Sequence, residues 1–154
     1  MKIKSSIIDI VLNVACIIVL LGVVIFLLVR WSSIPDQVPG HFNASGEVTR
    51  WDSKGTLIIM PIITVALYVG ITILERFPQV WNTGVRITKE NMFRVYRILK
   101  SLINIVKLLI VVTFASITII QSLAVALPIW LMPVLISLIF GTIIINIIRL
   151  VKAR

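Results

Sequence analysis

Polar and apolar positions alternate along this chain in long blocks. Four apolar runs, residues 7–29, 56–74, 102–126 and 129–150, are separated by a polar stretch at 30–55 and a basic one at 75–101. A helix needs about 20 apolar residues to cross the hydrocarbon core. Helices and closed barrels alone satisfy every backbone N–H and C=O there. The pattern therefore predicts an all-α membrane protein: a four-transmembrane-helix bundle forming one domain over 1–154, with a short hairpin-like loop between helices 1 and 2.

The breaks between runs carry further expectations. Leu123 to Pro128 is itself apolar, which predicts a tight turn between spans three and four, with Pro128 in the first turn of the last helix and Pro133 as a candidate kink. Thr88 is an N-cap candidate. Phe93, Tyr96 and Leu99 then recur at helical spacing with no Gly or Pro before residue 102, so span three reads as the upper part of a longer helix. Asp52 or Ser53 is placed to cap span two. At the N-terminus, Lys2 and Lys4 precede an apolar run longer than a signal-peptide core, which predicts an uncleaved anchor.

Composition agrees with the pattern: 59% of residues are hydrophobic, 14% are charged and mean hydropathy is +1.11. The net charge of +9 would suggest nucleic acid in a soluble protein. Here the cations sit at the ends of apolar runs and record topology instead. Lys2 and Lys4, then Arg76, Arg86, Lys89, Arg94, Arg97 and Lys100, then Arg149, Lys152 and Arg154 mark three cytoplasmic segments by the positive-inside rule. Both termini are thus expected in the cytoplasm of a multi-pass cell-membrane protein. The 30–55 loop balances Arg30, Arg50 and Lys54 against Asp36, Glu47 and Asp52 and is assigned outside. Trp31, Trp51 and Trp130 then fall near the outer interface, and Trp81 and Tyr96 near the inner one. The single cysteine, Cys16, lies within an apolar run and has no disulfide partner in the chain.

The outside loop is the most informative stretch. Pro35 and Pro39 fix the backbone and bias Ile34 and Val38 toward extended conformations. Asn43-Ala44-Ser45-Gly46 supplies turn residues between His41-Phe42 and Val48-Thr49-Arg50-Trp51, with Gly46 suited to a left-handed position. A short hairpin lying on the outer helix ends follows. Over Pro35 to Lys54 the pattern P-D-x-x-P-x-H-F-N-x-x-G-x-x-x-x-W-x-x-K resembles the signature of the domain of unknown function 1648 family, which includes the SdpI-like bacterial immunity proteins. Val85 to Asn91, followed by Arg94, Tyr96 and Arg97, is similar to the stretch after span two in that family. The resemblance implies a four-span form of the shared N-terminal module, without the additional C-terminal membrane domain of the immunity proteins. It also implies a role in protection against a secreted toxic peptide or in membrane signalling.

Three sets of candidate residues follow. Asp36, His41, Phe42, Asn43, Gly46, Trp51 and Lys54 form the candidate surface for ligand or peptide recognition. His41 and Asn43 also serve as loop-stabilising hydrogen bonders, and a lone His among scattered carboxylates lacks the spacing of a metal site. Thr88, Glu90, Asn91, Arg94 and Arg97 form a candidate cytoplasmic docking face, with anchoring at anionic headgroups as the simpler use of its cations. In the membrane, Asp9 and Asn13 share one face of helix 1 while Lys107 lies at a comparable depth of span three, so an Asp9–Lys107 pair is expected. The alternative leaves Asp9 among headgroups with Lys107 snorkelling.

No nucleotide loop, HExxH motif or paired intramembrane carboxylate occurs, so a non-catalytic protein without cofactor or metal is expected. Its expected partners are the lipid bilayer and either a secreted antimicrobial peptide or a membrane partner protein, with no nucleic acid; a homo-oligomer stays open. Two functions compete: envelope protection or peptide sensing through the outer loop, and an accessory subunit of a transporter or signalling complex. A transporter in its own right would require oligomers, because four spans with so few buried polar groups offer little room for a pathway.

Overall fold

The computed structural model describes residues 3–154; Lys2, counted above among the N-terminal cations, lies outside the described residues. Helix α1 spans Ile7–Arg30 and opens with a capping box in which Ser6 and Asp9 exchange side-chain and backbone hydrogen bonds. A 3-10 turn at Trp31–Ser33 leads to strands β1 (Gln37–Phe42) and β2 (Val48–Ser53), which pair antiparallel. A second 3-10 turn at Lys54–Ile58 enters α2 (Ile59–Leu74). After a turn at Pro78–Val80 come α3 (Met92–Ser122) and α4 (Leu131–Lys152). Among the described residues, four helices are long and apolar enough to cross a membrane.

Helix α3 organises the bundle, packing against each of the other three helices. Its 31 residues run about 46 Å at 1.5 Å per residue, against about 30 Å of hydrocarbon. The excess is the basic first part, continuous with the span as its uninterrupted helical spacing predicts. Thr88, expected as the N-cap, instead opens the turn that leads into it: the Thr88 N–H donates to Asn91 Oδ1, the Asn91 N–H to Thr88 Oγ1, and the Thr88 carbonyl accepts from Met92 N–H, while Asn91 holds the N-cap position without a side-chain cap bond. The outward faces of α1, α2 and α4 expose Ile10, Ile18, Leu21, Ile62, Ile144 and Ile147, as expected where lipid replaces water.

The two ends of the bundle differ. At one end Trp81, Val95, Ile98, Leu99, Leu150 and Ala153 form a buried cluster against which Ile3 packs, so both chain ends and the α2–α3 connection gather there. At the other end Leu27, Ile34, Val38 and Leu57 pack beneath the hairpin.

Three further sequence expectations are corrected. Neither Asp52 nor Ser53 caps α2, because the 3-10 turn intervenes and Ile58, at the helix N-cap, makes no side-chain cap bond. Pro128 precedes α4 and its carbonyl accepts from Leu131 N–H, since Ala124 turns the chain with φ 54° and leaves a longer connection than a tight turn. Pro133 thereby falls in the first turn, where its missing N–H removes no intrahelical bond, and α4 continues to Lys152. At the end where both chain ends gather, Trp81 is buried within the cluster, and its indole N–H donates to the Leu74 carbonyl at the end of α2.

Candidate functional site

The hairpin is held by side chains of its own sequence. Gly40 is the extra residue of a bulge: Pro39 pairs with Trp51 and His41 with Arg50. A Cβ on Gly40 would sit 2.0 Å from Asp52 Oδ2, so the strand passes directly beneath the Asp52 carboxylate. That carboxylate accepts two bonds from Arg50, at 3.0 and 2.9 Å. At the tip, Asn43 Oδ1 accepts from the backbone N–H of Ser45 and Glu47, and its amide nitrogen donates to Glu47 Oε2. This is the side-chain turn mimicry that favours Asn at such positions. His41 Nδ1 lies 2.7 Å from Thr49 Oγ1 across the strands.

Two contacts fasten the hairpin to the helices. Gly46, at φ 83°, accepts a 2.8 Å hydrogen bond at its carbonyl from Leu127 N–H in the α3–α4 connection. A Cβ at Gly46 would come within 2.0 Å of the Leu127 carbonyl oxygen, so the approach requires glycine. Lys54 Nζ donates to the carbonyls of Trp31 and Ile34 at 3.1 and 3.3 Å and lies over the Trp31 ring. The cation thus sits at the C-terminal, electronegative end of α1.

Beneath the hairpin lies a cavity of about 420 Å³. Its polar lip is Gly40 to Ala44 with Gly46, and its floor is apolar: Met60 of α2, Ile117 of α3, and Leu127 to Ile129 with Met132 around the start of α4. Gln121 of α3 adds one buried amide. Of the predicted recognition residues, the fold brings His41, Phe42, Asn43 and Gly46 to this cavity. Asp36, Trp51 and Lys54 lie elsewhere: Asp36 is exposed 3.9 Å from Lys54, and Trp51 is half exposed on β2. Sequence reasoning missed Gln121 and the methionines because they belong to three separate spans. Only Gln121, a polar residue near the end of an apolar run, carried a signal.

The intramembrane pair differs from expectation. Asp9 pairs with Arg97, at 2.6 and 3.2 Å, and Arg97 also bonds the Ser6 hydroxyl. Lys107, 0% exposed, donates to Glu75 Oε2 at 2.9 Å, Asn13 Oδ1 at 2.7 Å and Thr72 Oγ1 at 3.2 Å, with the Tyr68 ring 5.3 Å away. Asn13 bridges onward to Asn104. The physical reason is axial. Helix α3 begins ten residues before the hydrophobic run does, so Lys107 lies about 15 Å deeper than Arg97, beyond the reach of Asp9 in the first turn of α1. Glu75, outside every apolar run, gave no sign that the end of α2 would be buried against α3.

The docking set is also divided by the fold. Thr88 and Asn91 satisfy one another, with the Asn91 amide also bonding the Arg86 carbonyl, and Arg97 belongs to Asp9. Glu90 is exposed, and the Thr88 hydroxyl beside it holds its carboxyl below the ordinary range. Arg94 faces a cleft shared with α4. Among the described residues, no three His, Cys, Asp or Glu side chains gather to hold a metal ion.

Four apolar helices wrapped around a buried polar seam, with a structured hairpin on one end, define a helical integral membrane protein. Within it, residues 17–65, from the middle of α1 through the hairpin to α2, carry the domain of unknown function DUF1648. The chain is also similar to an uncharacterized protein of Archaeoglobus fulgidus, 35% identical over 63 residues that cover 36% of this chain and 34% of the relative. The similarity thus spans about a third of that relative's length. No solved structure matches the chain.

Proposed function

We propose that this integral membrane protein captures an amphipathic extracytoplasmic peptide at the hairpin and thereby protects or informs the cell envelope, acting by binding and not by catalysis. The observation that carries the reading is the 420 Å³ cavity itself, roofed by the polar hairpin and floored by apolar helix ends. That volume lies within the usual range of about 300–1,000 Å³ for ligand pockets, and the pairing of apolar wall with few polar groups is their usual chemistry. Met60 and Met132 on the floor supply flexible, polarizable walls able to fit varied side chains. Beside the hairpin, Leu27 and Leu28 of α1 and Trp31 just after it face Ile58, Ile62 and Val65 across a wholly apolar groove open to lipid. A peptide arriving along the membrane surface would meet both features together.

The charge distribution supports an orientation with the hairpin outside and both chain ends in the cytoplasm: among the described residues, the cations outside the hairpin segment other than the buried Lys107 belong to the opposite end of the bundle. The family resemblance supports peptide protection as the biological output. An accessory role through the basic face of α3 is weaker, because Thr88, Asn91 and Arg97 already make bonds within the chain.

The test is survival of a sensitive bacterial host expressing the chain and challenged with a panel of secreted amphipathic peptides. Expression should raise survival against at least one peptide, and H41A, F42A and Q121A should abolish that gain at unchanged protein level. No gain against any peptide, or a gain indifferent to all three substitutions, overturns the reading.

A further inference from the structure

At the end of the bundle opposite the hairpin, the first turns of α3 and the last turns of α4 enclose a cleft of about 520 Å³. Four cations line it: Arg94 and Arg97 from α3, Arg149 and Lys152 from α4. The apolar wall includes Phe93 and Ile98. We propose that this cleft is a binding site for the headgroup phosphate of an anionic phospholipid.

The charge balance is the first argument. One of the four cations, Arg97, is matched by Asp9, whose carboxylate lies on the α1 side of it. Arg149 makes a long 3.4 Å contact to the neutral Asn146 amide oxygen, and no carboxylate among the described residues forms an ion pair with Arg94, Arg149 or Lys152. Cations in the last turn of α4 complement its dipole, but that accounts for about half an elementary charge and not for a cluster drawn from two helices. The start of α3 adds its own positive end to the same cleft. Such a cluster is electrostatically incomplete without an anion.

The surroundings decide which anion. Phe93 is 68% exposed beside the cations, and Ile148 and Val151 of α4 are about half exposed next along the helix, continuous with its lipid-facing side. A phosphate in the cleft therefore has an apolar surface directly alongside it. A diacyl phospholipid meets both requirements at once, whereas a free anion or an acidic protein segment leaves Phe93 and Val151 uncovered. Basic clefts between transmembrane helices are recurrent sites for anionic headgroups, each nearby cation strengthening association about fivefold.

The experiment uses the full chain reconstituted in phosphatidylcholine vesicles with phosphatidylglycerol as the minor lipid. Electron paramagnetic resonance of spin-labelled lipids measures the motionally restricted fraction of each. The intact protein should restrict phosphatidylglycerol several-fold more than phosphatidylcholine. R149Q/K152Q should remove most of that preference, R94Q should lower it by a smaller part, and K89Q, a cation outside the cleft, should leave it unchanged. The substituted residues are exposed, and helix content by circular dichroism verifies that each variant folds. No preference in the intact protein overturns the proposal, as does equal loss in K89Q and R149Q/K152Q, which would mark a diffuse basic surface. Competition by inorganic phosphate at concentrations that leave ionic strength unchanged would assign the cleft to free phosphate and likewise overturn it.

Discussion

Glu75 Oε2 accepts a hydrogen bond from Lys107 Nζ at 2.9 Å, joining the C-terminal end of α2 to the middle of α3 in a pair screened from solvent on both sides. Removing one member of such a pair strands the other charge, at a cost of about 3–5 kcal/mol, while replacing both with apolar residues is often neutral. K107M and E75Q should each lower stability by an amount of that order, and K107M/E75M should recover most of it. Equilibrium unfolding in mixed micelles measures all three. Full additivity of the single losses would show that the two side chains do not interact.

A charge exchange separates this arrangement from the pairing expected from sequence. D9K/K107D moves each charge to a site whose partner is of like sign, because Arg97 faces position 9 and Glu75 faces position 107. The exchange should be at least as damaging as either single substitution. Stability above that of D9K and K107D would instead place positions 9 and 107 in contact.

The hairpin attachment rests on Gly46. G46A combines a left-handed backbone with a Cβ 2.0 Å from the Leu127 carbonyl, whereas Gly84, at φ 65°, has nothing within 4 Å of its Cβ position. G84A should therefore show only the left-handed penalty of about 1–2 kcal/mol. The G46A substitution should lose more and should release the tip, read as faster amide exchange at Ser45 and Glu47. Equal effects from the two would mean that the Leu127 contact is not the fastening.

Orientation is checked with the protein's own chemistry. Cys16 is wholly buried, so the natural chain is a silent background for a membrane-impermeant maleimide. In intact cells S45C should label and K89C should not, with the order reversed in inverted vesicles. Labelling of K89C from outside would invert the proposed topology.

Much of this molecule was legible in its residues alone. Apolar runs of spanning length, cations at their ends, the Pro and Gly positions of the 30–55 loop and the Thr88 start signal led to four helices, a hairpin and the long α3, because each is a local or periodic property of the chain. Partner choice was not local. Whether Asp9 met Lys107 or Arg97 depended on where α3 begins relative to α1, and whether Glu75 was buried depended on how α2 ends against α3. The cavity under the hairpin likewise joins Asn43 to Gln121 and Met132 across three connections. Sequence by itself determined that this chain must live in lipid and which segments cross it, since backbone satisfaction in hydrocarbon leaves helices as the solution for such runs. Only the tertiary structure decided which charges neutralise one another and which stay open to a ligand, since that depends on the axial offset between packed helices, and one helical turn shifts a side chain by about 5.4 Å.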